Sequence, residues 1–172
     1  MKKVLLHICC GVCAGSVVQK LRDEGYEVTG YFYNPNIYPE KEYEQRLAVV
    51  RQASKLLGFT LIEGLYETNT WQERIQGLEA EPEGGKRCQV CFRVRLQKTA
   101  DKAKEMDIGH IASTLSVSPH KNVQEINAIG KELSQGFLPY DFKKENGFKK
   151  TMDFAKKHDF YRQHYCGCQY SR

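Results

Sequence analysis

The sequence has no long apolar run, no internal repeat and no low-complexity linker. A helix that spans a membrane needs roughly 18 consecutive apolar residues, and every apolar stretch here is far shorter. The apolar run at residues 4–6 follows a basic start, but it is too short for a secretory signal peptide. These absences predict a cytoplasmic protein that has no contact with a membrane.

The remaining composition is that of an ordinary soluble protein. Hydrophobic residues make up 41% of the chain and charged residues 27%, which are typical fractions for a globular domain. A length of 172 residues is enough to bury one sizeable core. Length and composition together predict one domain, comprising residues 1–172.

Alternating strand-like and helix-like segments predict an α/β fold. Strands are predicted at residues 3–8, 27–33, 59–62 and 108–114, with a short final strand or extended segment at 137–142. Helices are predicted at residues 14–24, 40–57, 70–78, 91–106, 118–133 and 148–158. A strand, a helix and a second strand in succession favour parallel pairing through a right-handed crossover. In such sheets, ligands bind outside the carboxyl ends of the strands.

Three local patterns predict where helices begin. Pro39 suits the first position of the helix at residues 40–57. Thr70 and Glu73 have the spacing of a capping box. Ser118 followed by Pro119 has the form of an N-cap and a first helical residue.

Seven cysteines in three close groups are the residues most suited to chemistry: Cys9, Cys10 and Cys13, then Cys88 and Cys91, then Cys166 and Cys168. An odd number of cysteines in a reducing compartment argues against a disulfide framework. Buried free thiols would suit scattered cysteines better than three tight groups. The first group follows a strand and precedes a helix, whose N-terminus favours anions such as thiolates.

Three kinds of site can use such cysteines. A zinc site needs four ligands and leaves three cysteines over. A thioredoxin-type redox pair uses two and leaves five. A [4Fe–4S] cluster uses three or four thiolates, so the others remain, with His7, for a second site or for substrate chemistry. Counting ligands favours a cluster with a second site, and zinc stays open as an alternative.

Positive charge is concentrated near the C-terminus. Residues 143–162 carry +4 of the net charge of +5. A basic surface beside the last cysteine pair suits a partner that bears phosphates. The alternative is a helix face that is simply solvated.

Four separated motifs together resemble the QueH-type epoxyqueuosine reductases. They are His-Ile-Cys-Cys-Gly-Val-Cys at residues 7–13, Tyr-Asn-Pro-Asn at 33–36, Arg-Cys-Gln-Val-Cys-Phe at 87–92 and Tyr-Cys-Gly-Cys at 165–168. The motifs occur in order over essentially the whole chain. Val12 departs from the proline expected in many relatives, which affects the rigidity of the loop and not its side-chain chemistry.

The resemblance implies a cobalamin-independent enzyme of queuosine synthesis. Such an enzyme reduces the epoxide of epoxyqueuosine, at the wobble position of a tRNA anticodon, to queuosine. The resemblance also implies a Rossmann-like domain with a mainly parallel sheet, a [4Fe–4S] cluster and a separate mononuclear iron. The expected partners are tRNA bearing epoxyqueuosine and an external electron donor. Residues 143–172 are expected to form a basic helix and a cysteine-containing tail that pack onto this domain.

On this basis we expect each motif to have a role. All seven cysteines are expected to bind metal, with Cys88 and Cys91 on the cluster together with partners from the first and last groups. Candidate catalytic residues are His7, Tyr33 and Asp141, although His7 could be a structural strand histidine and Asp141 a surface carboxylate. Residues expected to contact the tRNA are Asn34, Asn36, Arg87, Lys143, Lys144, Lys149, Lys150 and Tyr165.

Two other functions fit parts of the same pattern. One is a cluster-dependent tRNA sulfur-transfer enzyme, which normally needs ATP. No Ser-Gly-Gly-x-Asp-Ser-like loop follows the first predicted strand, where residues 9–15 lie instead. The other is a zinc-held module that binds RNA without catalysis, which would contain zinc and no sulfide.

Overall fold

The computed structural model describes residues 1–171 and confirms the α/β class. The strands are β1 (Lys2–His7), β2 (Tyr26–Phe32), β3 (Thr60–Glu63) and β4 (His110–Ser113). The helices are α1 (Gly11–Asp23), α2 (Glu40–Leu57), α3 (Thr68–Arg74), α4 (Lys86–Glu105), α5 (Val123–Leu133) and α6 (Gly147–Lys157). Short 3-10 turns occupy Thr114–Val117 and Gln169–Ser171. Within residues 1–171, no helix is long and apolar enough to cross a membrane.

The four strands form a parallel sheet in the order β3-β2-β1-β4. The chain adds β2 and β3 on one side of β1 and then returns to place β4 on the other side. At the last residue of β1, His7 is in register with Tyr31 of β2 and Ser113 of β4. Ligands of open α/β sheets bind at this kind of topological switch point. The cysteine loop that follows β1 therefore lies at the expected edge.

The sheet is buried on both faces, as parallel sheets generally are. Val4 and Leu6 of β1 point into a core shared with α1 and α2. Leu5 points into the opposite core, which α4 and α5 cover. Helix α6 packs on α1 at Gly15, where an added Cβ would lie 2.7 Å from Cγ of Phe154. This contact places the basic helix against the helix that begins at the first cysteine group.

The helix at residues 40–57 was predicted with its correct bounds, but the capping roles predicted at the starts of two helices are wrong. Pro39 is the N-cap of α2, with extended backbone (φ −77°, ψ 177°), and not its first helical residue. Helix α3 begins at Thr68, two residues before the predicted capping box, and its N-cap Glu67 makes no capping bond. Burial of Trp71 against the cysteine pairs holds this short helix in place.

One further helix start is corrected, and one of the two alternatives for the last extended segment is confirmed. Helix α5 begins at Val123 because the side chain of Asn122 accepts the backbone N–H groups of Gln124 and Glu125, a stronger cap than Ser118 with Pro119. Residues 137–142 form no regular strand. They contribute a single parallel bridge beside β4, so the extended alternative holds there.

Gly11 allows a close crossing of α1 and α2, and Gly11→Ala tests it. A Cβ at Gly11 would lie 2.6 Å from Cγ1 of Val49 and 2.7 Å from its carbonyl carbon. Since neither helix can yield cheaply, we expect the free energy of unfolding to fall by about 1–3 kcal/mol in urea titrations of the metal-free protein. The control is Gly109→Ala, where an added Cβ meets no heavy atom within 4 Å. Equal effects of the two substitutions would contradict the close crossing.

Candidate metal centres

The first cysteine group forms a compact triad between β1 and α1. Cys10 is the N-cap of α1, and Cys9 and Cys13 lie beside it. All three sulfurs are within 4.8 Å of one another. Within residues 1–171, no other group of three ligand atoms from Cys, His, Asp or Glu is this compact. A tetrahedral metal with thiolates at about 2.3 Å holds them about 3.8 Å apart. The triad therefore has the spacing of a site for a single metal ion.

The three thiols of the triad form no disulfide and hydrogen-bond to one another. Sγ of Cys10 lies 2.7 Å from Sγ of Cys13, farther than the roughly 2.05 Å of a disulfide bond. Hydrogen bonds from Cys10, Cys13 and Thr114 lower the pKa of Cys9 well below its usual value, despite burial. The hydrogen bond with Cys13 lowers the pKa of Cys10. The hydrogen bond with Cys9 and burial outweigh this effect and raise the pKa of Cys10 to about 12.

The pKa of Cys13 is also raised, by its hydrogen bonds to Cys10 and Cys9 and by burial. Without metal, Cys9 is therefore the thiol of the triad that ionises most readily, and Cys10 and Cys13 hold their protons more tightly. Binding a metal ion through all three sulfurs has to release the protons that the thiols hold. The affinity of the triad for metal should therefore rise with pH.

The other four cysteines form a second group. Cys88 and Cys91 lie in the first turns of α4, and Cys166 and Cys168 come from the tail. All four line one cavity of about 270 Å³. Helix α4 begins at Lys86, five residues earlier than predicted, so the spacing of three residues places Cys88 and Cys91 on one helical face. This tetrad is more widely spaced than the triad, as suits thiolates bound to separate irons of one cluster.

The cavity of the tetrad is lined by buried polar atoms that have no protein partner among residues 1–171. These atoms are Nε1 of Trp71, Nε of Arg87, Nε of Arg95 and both amide atoms of Asn36. A buried donor left without an acceptor costs about 1–3 kcal/mol. Because three of these groups are N–H donors only, the cavity favours an anionic occupant with several acceptor atoms. Thiolate and sulfide sulfurs of an iron–sulfur cluster meet that requirement.

Burial raises the pKa values of Cys88 and Cys91, although the N–H of Gly84 hydrogen-bonds to Cys88 and the charge of Arg95 acts on Cys91. The Gly84 nitrogen lies 3.2 Å from Sγ of Cys88. Both thiols are therefore protonated at neutral pH until a metal displaces the protons.

Arg46 of α2 holds the tail against this cavity. Its guanidinium is 3% exposed, pairs with Glu42 at 2.9 Å, and donates to the carbonyl oxygens of Tyr165 (2.8 Å) and Cys166 (3.1 Å). The Tyr38 N–H donates to the carbonyl oxygen of Gly167 at 2.9 Å. Gly167 has a φ of 107°, which favours glycine between the two cysteines. These bonds bring residues that are about 120 positions apart in sequence to one site.

His7 is fully buried and both of its ring nitrogens are engaged. Nε2 lies 3.1 Å from both the Tyr33 carbonyl oxygen and Oδ1 of Asn34. Since both neighbours accept, Nε2 carries the proton, and Oγ of Ser113 donates to Nδ1 at 3.0 Å. Burial, with the charge of Arg95, lowers the pKa of His7 to about 4. The neutral ring ties the ends of three strands together, and a catalytic role for His7 stays a prediction.

Asn34 and Tyr33 also lie in the interior. Asn34 donates to the carbonyl oxygen of Ile8 at 2.9 Å and accepts from His7 and from Arg95, the last at 3.3 Å. Tyr33 packs in the core beneath α4, where burial and a hydrogen bond to Glu67 raise its pKa. The catalytic role expected of Tyr33 and the tRNA contact expected of Asn34 remain predictions, and the polar atoms of both side chains have partners within the protein.

Arg87 and Asn36 both line the cavity of the tetrad. Arg87 is 1% exposed, and its guanidinium donates to the carbonyl oxygens of Leu78 and Glu79 at 3.2 Å and to Oγ of Ser171 at 3.1 Å. It thereby joins the loop before α4 to the tail. Asn36 has no such partners, which leaves its amide available to a bound molecule.

Asp141 and the lysines lie away from the lining of the cavity. Asp141 accepts the backbone N–H of Lys143 at 3.0 Å, and Nζ of Lys143 donates to the carbonyl oxygens of Ser116 and Lys121. Lys149 pairs with Asp153 on the exposed side of α6. The catalytic role of Asp141 and the tRNA contacts of Lys143, Lys144, Lys149, Lys150 and Tyr165 remain predictions.

Sequence reasoning missed Arg95, Trp71 and Arg46, which surround the tetrad or hold it in place. Arg95 follows Cys91 by four residues within one helix, so helical spacing alone places it on the cysteine face. Trp71 and Arg46 had no such signal, since each reaches the site only through tertiary packing.

The sequence matches one family of proteins along nearly its whole length. The family model described as "Epoxyqueuosine reductase QueH" matches residues 4–172. A relative of that name from Streptococcus pyogenes is 42% identical over 98% of this chain and 69% of its own length. Another from Haemophilus influenzae is 37% identical over 98% of this chain and 71% of its own length.

Two solved structures share the fold at low sequence identity. One, described as a "predicted subunit of tRNA methyltransferase" from Methanocaldococcus jannaschii, has a TM-score of 0.60 and 13% identity over 95% of this chain and 94% of its own. The other, the U34-tRNA thiolase NcsA from Methanococcus maripaludis with its [4Fe–4S] cluster, has a TM-score of 0.53 and 12% identity over 99% of this chain and 60% of its own. These likenesses support the fold, and the sequence matches support the family. The chain belongs to the QueH family of epoxyqueuosine reductases, oxidoreductases that act in tRNA modification.

Proposed function

We propose that residues 1–172 form one catalytic domain that reduces the epoxide of epoxyqueuosine, in the anticodon of a tRNA, to the cyclopentene of queuosine. The observation that carries this proposal is the division of seven free cysteines into a compact triad and a wider tetrad. The tetrad is proposed to hold a [4Fe–4S] cluster and the triad a mononuclear iron. This proposal changes the expected division, since it assigns Cys9, Cys10 and Cys13 to a site of their own.

The reaction requires both electrons and protons. Removing the epoxide oxygen as water consumes two electrons and two protons and leaves a carbon–carbon double bond. When bound, the cluster supplies electrons one at a time and the iron supplies Lewis acidity. The electrons come from an external one-electron donor.

The residues of the chain prepare the site for this chemistry. Three thiolates leave one position of a tetrahedral ion open to another ligand. His7 fixes the loop that carries the triad through its bonds to Ser113, Tyr33 and Asn34. The buried donors around the tetrad compensate negative charge there.

The tRNA is proposed to approach from the open side of the same cavity. Asn36 offers an unpaired amide, with both donor and acceptor atoms, to the modified base. Lys149 and Lys150 lie on exposed positions of α6 and suit the phosphate backbone. Tyr165 and Arg46 form a cation–π pair at 5.3 Å, which places an aromatic ring near the tail cysteines for stacking on a base.

The test is a reduction assay with the reconstituted protein. Protein loaded with iron and sulfide without oxygen is mixed with dithionite and tRNA bearing epoxyqueuosine, and the digested nucleosides are analysed by mass spectrometry. We expect epoxyqueuosine to be replaced by queuosine, which contains one oxygen atom fewer. Reactions without protein or without dithionite serve as controls. A fully loaded protein that leaves the epoxide intact, or that adds sulfur to the tRNA, would contradict the proposal.

A further inference from the structure

Arg95 occupies a position that the proposed reaction does not yet explain. It lies on α4, four residues after Cys91, and is 3% exposed. Its side chain lines the cavity of the tetrad, Nη1 donates to Oδ1 of Asn34 at 3.3 Å, and Nε has no hydrogen-bond partner in the described part of the chain. None of the ion pairs within residues 1–171 includes this guanidinium. A buried positive charge without a carboxylate is strongly unfavourable unless other anions face it.

The sulfurs that act on Arg95 belong to both cysteine groups. Its guanidinium lines the same cavity as Cys91 and Cys166 and hydrogen-bonds to Cys91, and Cys91, Cys9 and Cys166 stabilise its charge when they are ionised. Although burial opposes its charge, these thiols raise the pKa of Arg95. Asn34 completes the link, because it accepts from Arg95 and also donates to Ile8, the residue before Cys9.

We propose that Arg95 is a positioning residue that acts as the counter-ion shared by the two metal centres and raises the reduction potential of the group held by the tetrad. The proposal rests on the proposed function, since it assumes that the tetrad and the triad both bind metal. The physical reason is that each electron adds negative charge to a buried site. A guanidinium stays protonated throughout the accessible pH range, and its charge stabilises the reduced form more than the oxidised form. The charge and hydrogen bonding around a cluster are known determinants of its potential.

The first test compares reduction potentials of Arg95→Gln, Arg95→Lys and the wild type. At equal iron and sulfide content, we expect Arg95→Gln to lower the reduced-to-oxidised ratio at a fixed potential about tenfold, a shift of about 59 mV for one electron. Arg95→Lys keeps the charge and should retain most of the wild-type potential. The matched control is Arg93→Gln on the same helix, since Arg93 is exposed and pairs with Glu132. An unchanged potential in fully loaded Arg95→Gln would overturn the proposal.

The second test separates the role as counter-ion from a role in packing. Thermal unfolding is measured for wild type and Arg95→Gln, each without metal and with metal. We expect the substitution to lower the melting temperature more in the loaded protein, where the thiolates carry full negative charge, than in the metal-free protein. Equal losses in both forms would show that Arg95 only packs and would overturn the proposal.

The comparison of stabilities tests the counter-ion role with zinc in place of iron as well, because zinc thiolates are also anionic, whereas the effect on the reduction potential requires the iron–sulfur cluster. Failure of the reductase proposal can thus be told apart from failure of this one. The metal analysis and the reduction assay decide the first, and the difference between loaded and metal-free stability decides the second.

Discussion

Cys91→Ala is expected to abolish the iron–sulfur cluster, whereas Cys13→Ala is expected to keep it and lose only the separate iron. Cys91 belongs to the tetrad that lines the cavity, and Cys13 belongs to the compact triad. Both variants should lose epoxide reduction by about a thousandfold or more, because groups that act as one catalytic unit fail together. The two variants differ in what they retain, and that difference tests the division of the cysteines.

The measurement is iron and acid-labile sulfide per chain, together with the visible spectrum, after reconstitution without oxygen. Cys13→Ala should retain about four sulfides and the absorption of the cluster, and Cys91→Ala should retain neither. Val90→Ala is the control, since Val90 lies between two tetrad cysteines and supplies no ligand atom. If Cys13→Ala also lost its sulfide, the triad would have to be part of the cluster site.

Arg46→Met is expected to destabilise the protein strongly and to release the cysteine tail. Among residues 1–171, the substitution leaves the buried carboxylate of Glu42 with Tyr161 as its one side-chain partner, and it removes two bonds to the backbone at Tyr165 and Cys166. Removing one partner of a buried ion pair typically costs about 3–5 kcal/mol. Because Cys166 and Cys168 are held in place by these bonds, we expect the yield of the loaded cluster to fall as well.

The matched control is Arg51→Met on the same helix. Arg51 pairs with Glu63, but both side chains are largely exposed, and exposed pairs contribute about 0–1 kcal/mol. Urea titrations of the metal-free proteins measure the cost of each substitution, and sulfide analysis measures the loss of cluster. Adding Glu42→Gln to Arg46→Met should restore part of the stability, since no unpaired charge then remains buried. Similar costs for Arg46→Met and Arg51→Met would show that Arg46 does not anchor the tail.

The sequence predicted the sheet and the long helices because their signals are local. The apolar run of β1 and the bounds of α2 are set by strand propensity, helical periodicity and the glycine at position 58. Helix starts were predicted less well, since Asn122 caps α5 through a side-chain bond that competes with the Ser118-Pro119 pattern. Such competition is decided by small differences in capping energy.

The grouping of the cysteines depended on tertiary structure. Spacing shows that Cys88 and Cys91 share a helical face, but nothing local shows that Cys166 and Cys168 join them. That placement depends on Arg46, which reaches the tail from a distant helix. The buried bonds of His7 were equally hidden, since its partners come from two other strand ends. By contrast, Arg95 could have been found from its helical spacing after Cys91.

The most direct test is the content of iron, acid-labile sulfide and zinc per chain in wild-type protein purified without oxygen. A [4Fe–4S] cluster on the tetrad and one iron on the triad predict about four sulfides, about five irons and essentially no zinc. About one zinc with no sulfide, unchanged after reconstitution with iron and sulfide, would contradict both metal assignments. The seven cysteines would then belong to a zinc-held domain that binds RNA without reducing it.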